Sequence, residues 1–329
     1  MSDLLNDEIE MSIVIPLYNE EEVFAELTRR LKAVLDGLPF RAEVVLIDDG
    51  SCDSTSHLIA DACGKDARFR GVVLSRNFGH QAAVTAGMRH AAGRTVAVLD
   101  GDLQDPPEVL EDFHRKLNEG FDVVYAVRQG RKENFLKRLA YYAFYRVLRR
   151  LATISIPLDS GDFCIMSQRV VRIINSLPER HRFVRGMRSW VGFRQVGCPY
   201  DRAGRAGGHS KYSLARLAAL ALDGIFTFSE KPLRWSSYAG AVVAALAFLW
   251  ALRTIAWRLL TNESLPGFAT MATGMFFLGG VQLLSIGILG EYVGRIHNEV
   301  KARPPYVVDR LYGLAPCKSS EAGSHAPGD

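Results

Sequence analysis

Asp100, Asp102, Gln104 and Asp105 crowd into LDGDLQD, where the apolar run TVAVL ends. Carboxylates this close repel one another unless something positive sits among them. Asp100 and Asp102 stand two apart, and Gly101 between them lets the backbone turn sharply. Oxygen donors so arranged suit a hard divalent cation, Mg2+ or Mn2+, which takes one or two carboxylates and completes its shell with substrate phosphates. A calcium-binding EF-hand loop is excluded: counted from Asp100, its sixth position is Asp105 instead of glycine, and a strand precedes it where a helix should. A solvated acidic turn is the plainer alternative.

A second acidic cluster, IDDGSCDS, ends another apolar run. Asp48 or Asp49 could accept from a nucleobase N–H or from ribose hydroxyls, while Asp53 or Ser54 caps the helix that follows. Pro16, Tyr18, Asn19 and Glu20 close the first apolar run, where a planar ring could pack. Asp162, in Gly161-Asp162-Phe163, is a third acidic point, read as part of a turn. The glycine-rich stretch DRAGRAGGHSKYS carries Arg202, Arg205, His209 and Lys211, the cations that a loop closing over phosphates would need. It matches no Walker pattern, and neither a Rossmann glycine fingerprint nor Ser/His/Asp chemistry is present.

These points need a frame that brings them together. MSIVIPL, EVVLID, GVVLS, RTVAVLD and FDVVYAV read as buried strands, with helical periodicity between them over 21–35 and 54–62. Asp105 before Pro106 reads as an N-cap with proline at N1, opening a helix that ends near Gly120. Alternation at this spacing predicts an α/β fold with a doubly wound, mainly parallel sheet. Ligands of such sheets bind beyond the carboxyl ends of the strands, where all three clusters PLYNEEE, IDDGSCDS and LDGDLQD fall.

From 133 to 152 the chain changes character. Leu136, Leu139, Ala140, Ala143, Phe144, Val147, Leu148 and Leu151 keep helical spacing, and Lys137, Arg138, Arg146, Arg149 and Arg150 fill the remaining arc. This predicts a basic amphipathic helix suited to an anionic membrane surface, an ordinary surface helix being the alternative. Further on, 236–252 and 267–290 hold no charged residue. Transmembrane helices are therefore expected over 236–260 and 266–293, because about 20 apolar residues span a bilayer. Lys231 and Arg234 precede the pair, and Arg295, Lys301, Arg303 and Arg310 follow it, while the linking TNESLP has neither Lys nor Arg. The positive-inside rule puts both flanks in the cytoplasm. Arg253 lies near the outer end of the first span, where it would snorkel or face a neighbouring subunit.

The totals agree with this layout. The 329 residues carry a net charge of only +4, which gives no reason to expect a nucleic-acid partner. Five scattered cysteines without a CxxC pair suit a reducing cytoplasm. The acidic opening MSDLLNDEIE is unlike a signal peptide. The expected layout is a tail over 1–10, a cytoplasmic catalytic domain over 11–211, a juxtamembrane segment over 212–235, the two spans, and a cytoplasmic segment over 294–329 whose end is disordered.

Eight stretches in order, VIPLYNEEE, VVLIDDGSCDST, LSRNFGHQAAVTAGM, AVLDGDLQDPPE, the GDF at Asp162, PERHRFVRGMRSWVGF, AGGHSKY and GEYVGRIHNEVKARPPY, resemble the family 2 glycosyltransferases of the polyprenyl-phosphate branch. The resemblance implies a GT-A fold and an inverting transfer of a hexose to a polyprenyl phosphate at the cytoplasmic face of the inner membrane. It implies that Asp100, Asp102 and Gln104 hold Mg2+ or Mn2+ on a nucleotide-sugar diphosphate. Pro16, Tyr18, Glu20 and Asp48 would line the nucleotide pocket, with Asp49 beside them. Asp162 would sit by the reacting sugar, and Arg128, Arg131, Arg205 and Lys211 would meet phosphates. UDP-glucose and undecaprenyl phosphate are the expected substrates, and GDP-mannose or a UDP-aminoarabinose are alternative donors. A homo-oligomer is also expected. A processive polysaccharide synthase is a further alternative, but its Q-x-x-R-W motif is missing at both RSW and LRW.

Overall fold

The computed structural model describes residues 8–128, 160–180, 182–200, 231–261 and 267–313. Arg131, Arg205, Lys211, the basic stretch 133–152 and most of the juxtamembrane segment 212–235 lie outside the described residues, as do the linking loop and the final tail. The chain divides into two units. One comprises Met1–Phe135, Ser155–Ser210 and Arg303–Asp329, and the other Leu136–Ile154 and Lys211–Ala302.

The first unit is built on a sheet of eight strands among the described residues: β1 (Met11–Leu17), β2 (Ala42–Asp48), β3 (Phe69–Leu74), β4 (Thr95–Val98), β5 (Val123–Arg128), β6 (Ser160–Ser167), β7 (Gln195–Tyr200) and β8 (Val308–Tyr312). Their order is β7-β5-β6-β4-β1-β2-β3-β8. The sheet is mixed: β6 and β8 run antiparallel to their neighbours, and the other pairings are parallel. Every residue of β1 and β2 is buried, because helices cover both faces and leave no solvent side to be made polar.

Those helices are α1 (Glu21–Gly37), α2 (Thr55–Lys65), α3 (His80–His90), α4 (Leu110–Asn118), α5 (Gln168–Ser176) and α6 (Val184–Trp190). In α1, Phe24, Leu27, Leu31 and Leu35 recur at helical spacing and form the buried stripe, while Glu21 and Glu22 favour the positive end of the helix dipole. Helices α1, α2 and α4 pack with Ile13, Ile15, Ala97, Phe163 and Ile165 on one face of the sheet. Helices α3, α5 and α6 pack with Val14, Val96, Val98, Cys164 and Met166 on the other. All five strands expected in the N-terminal part are present, as are the helices expected over 21–35 and 54–62 and the one expected to end near Gly120, which is α4.

Two expectations are corrected. Asp105 is not an N-cap: Pro106 takes that position, and a 3₁₀ turn over Pro107–Val109 leads into α4. The buried Asp105 carboxylate instead accepts from the Tyr200 hydroxyl and ties the acidic turn to the end of β7. Asp162 lies on strand β6, not in a turn.

The segment after the spans also joins the sheet, which the sequence did not announce. It leaves only at Val300, and Val308–Tyr312 returns as β8 on the edge of β3. Ser75 N–H donates to Val307 O at 2.9 Å, and Tyr306, Val308 and Leu311 pack on the second core cluster. A bare β3 edge would present unpaired backbone groups to other chains. A chain ending at Ala302 is therefore expected to unfold about 5 °C or more below the full chain and to aggregate, read by thermal unfolding and size-exclusion chromatography in detergent.

The second unit contains α7 (Lys231–Thr261) and α8 (Phe268–Val300). Within them Leu233–Trp257 and Thr273–Val300 are long and apolar enough to cross a membrane, and nothing in their most apolar windows is buried. At 1.5 Å per residue these stretches reach about 38 and 42 Å, against a hydrocarbon core of about 30 Å. Leu246, Phe248, Leu249, Phe276, Leu283 and Leu284 are all more than 60% exposed, an apolar surface that water would not tolerate. Arg253 is not bare on this surface, since its guanidinium lies over the Trp250 ring at 5.0 Å.

Candidate active site

Strands β1, β2 and β4 are parallel neighbours, so their carboxyl ends bring the three acidic clusters to one side of the sheet. The first two are laced together. Asn19, at φ 53°, donates its N–H to Ser51 Oγ at 2.9 Å and accepts from Cys52 N–H at 2.9 Å. Asp53 accepts from Glu21 N–H and Thr55 N–H, which anchors the starts of α1 and α2 together. Beside this lacing Pro16 is buried, Tyr18 is exposed, and Glu20 donates its backbone N–H to Thr55 Oγ1 at 3.0 Å.

The adjacent aspartates have different duties. Asp48 accepts from Ser51 N–H at 2.9 Å with one oxygen. Asp49 uses both oxygens on the loop after β3, accepting from Phe78 N–H at 2.7 Å and Gly79 N–H at 2.9 Å. Its carboxylate shapes the crevice wall instead of standing open to a ligand. Gly50 makes this possible: its φ is +69°, and a Cβ there would lie 2.3 Å from the Arg76 carbonyl carbon.

In LDGDLQD the residue that makes the sharp turn differs from expectation. The left-handed residue is Leu103, at φ 58°, whereas Gly101 is needed for room, since a Cβ would meet Leu17 Cδ2 at 2.4 Å. Asp102 accepts from Gln104 N–H at 3.1 Å, and Gln104 is buried. Arg128 is the last residue of β5, which runs in the same direction as β4.

The antiparallel β6 completes the site. Val98 pairs with Cys164, so the chain leaving β4 toward Asp100 runs past the stretch of β6 that carries Asp162. On the other side Tyr125 pairs with Cys164 and Val127 with Ser160, which leaves Gly161, Asp162 and Phe163 opposite Ala126 alone. Such a bulge re-aims a side chain. His80, the first residue of α3, then lies between the two carboxylates, its Nε2 3.6 Å from Asp100 Oδ1 and 3.7 Å from Asp162 Oδ2. Arg185 Nη2 stands 3.4 Å from Asp162 Oδ1.

Charge follows from this placement. Burial raises the Asp100 carboxyl to about 6; His80 counteracts this, and Asp162, Asp105 and Asp102 add to it. Burial alone would also raise Asp162, but His80, Arg185 and Arg188 outweigh it and hold the group at about 2. Burial disfavours the charged His80 imidazole, yet Asp162 and Asp100 raise it above the ordinary value. Asp100 Oδ1 is buried without a hydrogen bond, and the cation that faces it is His80 Nε2 at 3.6 Å. A buried carboxylate oxygen without a hydrogen bond, at the mouth of a strand, fits a divalent cation. Among the described residues no three His, Cys, Asp or Glu side chains gather as a full metal cage, so such an ion would need ligands from the substrate.

Sequence reasoning passed over His80, Gln81 and Arg185, although LSRNFGHQAAVTAGM and PERHRFVRGMRSWVGF were both singled out. A histidine opening the helix that follows a strand, in a sheet with acidic strand ends, was the available signal.

Comparison with known proteins gives the same picture. The glycosyl transferase family 2 domain matches residues 12–174, and the GtrB C-terminal hairpin matches 231–296. The chain is 42% identical over 307 residues to the uncharacterized glycosyltransferase YkcC of Bacillus subtilis, covering 93% of this chain and 95% of that one. It is 39% identical over 301 residues to the bactoprenol glucosyl transferase of Shigella phage SfV, covering 91% and 98%. A mannosyltransferase of Pyrobaculum calidifontis, solved with GDP-Man and Mn2+, is similar at 18% identity and a TM-score of 0.49, covering 89% and 87%. With its mixed GT-A-like sheet and paired apolar helices, the chain belongs to the family 2 glycosyltransferases, in the polyprenyl-phosphate branch.

Proposed function

We propose that the protein is an inverting glucosyltransferase that moves glucose from UDP-glucose to undecaprenyl phosphate at the cytoplasmic face of the membrane. The observation that carries this reading is the set Asp100, His80, Asp162 and Arg185, which β4, α3, β6 and α6 bring together. It sits in a chain that also has two helices able to cross a bilayer. The phage relative, named a bactoprenol glucosyl transferase, supports the choice of sugar and lipid.

A phosphate oxygen of the lipid attacks the anomeric carbon, the new C–O bond forms as the bond to the UDP oxygen breaks, and UDP leaves with the electron pair. A phosphomonoester has a second pKa of about 6, so the nucleophile is already largely ionised at pH 7. No strong general base is required, which suits an Asp162 held ionised by its cationic neighbours. Its part is to orient His80 and Arg185. Asp100, Asp102 and Gln104 would hold Mg2+ or Mn2+, which when bound neutralises the charge developing on the diphosphate. Pro16, Tyr18, Glu20 and Asp48 would form the nucleotide side of the crevice, and Arg128, Arg131, Arg205 and Lys211 would bind phosphates. The apolar tail of the acceptor explains why the catalytic unit is joined to membrane-crossing helices.

The test is a transfer assay with purified protein, undecaprenyl phosphate and Mg2+ or Mn2+, offering labelled UDP-glucose, other UDP-hexoses, UDP-aminoarabinose and GDP-mannose. Label from UDP-glucose should enter the lipid fraction and vanish with chelator. Transfer from a different donor alone would overturn the sugar while keeping the reaction. Transfer from none would overturn the function.

A further inference from the structure

Gln81 is the second residue of α3, and its side chain reaches across to two other elements. Its Oε1 accepts from Val184 N–H, the first amide of α6, at 2.9 Å. Its Nε2 lies 3.5 Å from Asp162 Oδ2 on β6. An amide suits this place because it can accept from a backbone N–H and donate to a carboxylate at once. A glutamate could do only the first, and a lysine or arginine only the second.

The neighbours give the bridge its importance. Helix α6 has seven residues, too short to hold itself, and its first turn rests on outside partners. Arg182 steadies the approach to it by donating to the carbonyls of Ile174 and Leu177 at the end of α5. One residue beyond Val184, in the first turn of α6, Arg185 faces the other oxygen of Asp162. Arg188, buried at 1% exposure over the Tyr125 ring, adds positive charge from behind. The Asp162 carboxylate is therefore gripped from α3 on one oxygen and from α6 on the other, and Gln81 touches both the carboxylate and the helix that carries Arg185.

We propose that Gln81 is a positioning residue for the transfer, locking Asp162 to the first turn of α6 so that Asp162 and Arg185 face the reacting groups as one preset pair. The inference rests on the function proposed above. Gln81 acts through these two residues and need not touch substrate.

Two variants separate its halves. Q81E keeps an acceptor for Val184 N–H but puts a second carboxylate against Asp162, whereas Q81A removes both contacts. Hydrogen exchange over residues 183–187 should stay close to wild type in Q81E and speed up about 10-fold or more in Q81A. In the transfer assay Q81E should lose about 10-fold or more in kcat with the donor KM nearly unchanged, since a small misplacement at a reacting centre is costly. A Q81E enzyme with wild-type kcat would overturn the proposal, because a residue that only supports α6 is rescued by that variant. Unchanged exchange in Q81A would overturn it as well, and that readout does not depend on turnover. Failure of the wild-type enzyme to transfer from any donor would instead sink the function on which the proposal rests.

Discussion

Asp100→Asn should lower kcat for glycosyl transfer by about 1,000-fold, at the upper end for loss of an electrostatic group facing developing charge. The substitution keeps shape and size and removes one charge, at a carboxylate whose Oδ1 is buried without a hydrogen bond. The same variant should be more stable than wild type when both are measured with chelator. The sign follows from the raised carboxyl: its folded value of about 6 lies above the ordinary 3.8. The group therefore favours the fold fully below the ordinary value, and that contribution is lost as pH rises through about 6. At pH 7.5 the wild-type site carries this burden and the variant does not. An unfolding scan at pH 5 and pH 7.5, beside a transfer assay, checks both halves. The stability gain of Asp100→Asn should be present at pH 7.5 and smaller at pH 5. An active variant would remove Asp100 from the chemistry, and a destabilised one would show that its charge supports the fold.

Glu43→Leu should have the largest effect on stability, with little effect on catalysis. Glu43 is 98% buried at the start of β2, where Oε1 accepts from Ser12 Oγ at 2.6 Å and from Ala92 N–H at 2.9 Å. Oε2 lies 2.8 Å from Arg70 Nε, and Ser12 Oγ in turn accepts from Gly93 N–H at 2.8 Å. One carboxylate thus joins β1, β2, β3 and the turn before β4. Leucine would leave a cation, a hydroxyl and an amide without their partner. Removing one side of a buried pair costs about 3–5 kcal/mol, a fall of ~10 °C in the unfolding midpoint for a unit of this size. Glu43→Gln keeps the two neutral hydrogen bonds and should lose less than half as much. Glu43 and Asp48 lie at opposite ends of β2, about 17 Å apart at strand spacing, so kcat at a permissive temperature should stay within about twofold of wild type. A midpoint within 2 °C of wild type would show that the network contributes little.

The two variants touch features of different legibility. Asp100 stands out in the sequence because a dense acidic cluster at the end of an apolar run has few bland explanations. Glu43 does not: EVVLID reads as a buried strand with nothing to single out its glutamate, and only the pairing of β1, β2 and β3 sets it among Ser12, Arg70 and Ala92.

By itself the sequence determined the strands β1 to β5, the helices α1, α2 and α4, the apolar stretches of α7 and α8, and the acidic strand ends. Each rests on periodicity or composition within some twenty residues, and local sterics and burial act on that scale. Only the tertiary structure decided the rest. The antiparallel insertion of β6 between β4 and β5, with its bulge, carries Asp162 past Asp100, and α3 and α6 then bring His80, Gln81 and Arg185 against it. The return of Val308–Tyr312 to the edge of β3 and the use of Asp49 as a loop anchor belong to the same class. The physical reason is that pairing partners and register are chosen by competition among all strand edges and apolar faces of the folded chain, and no short segment carries that choice.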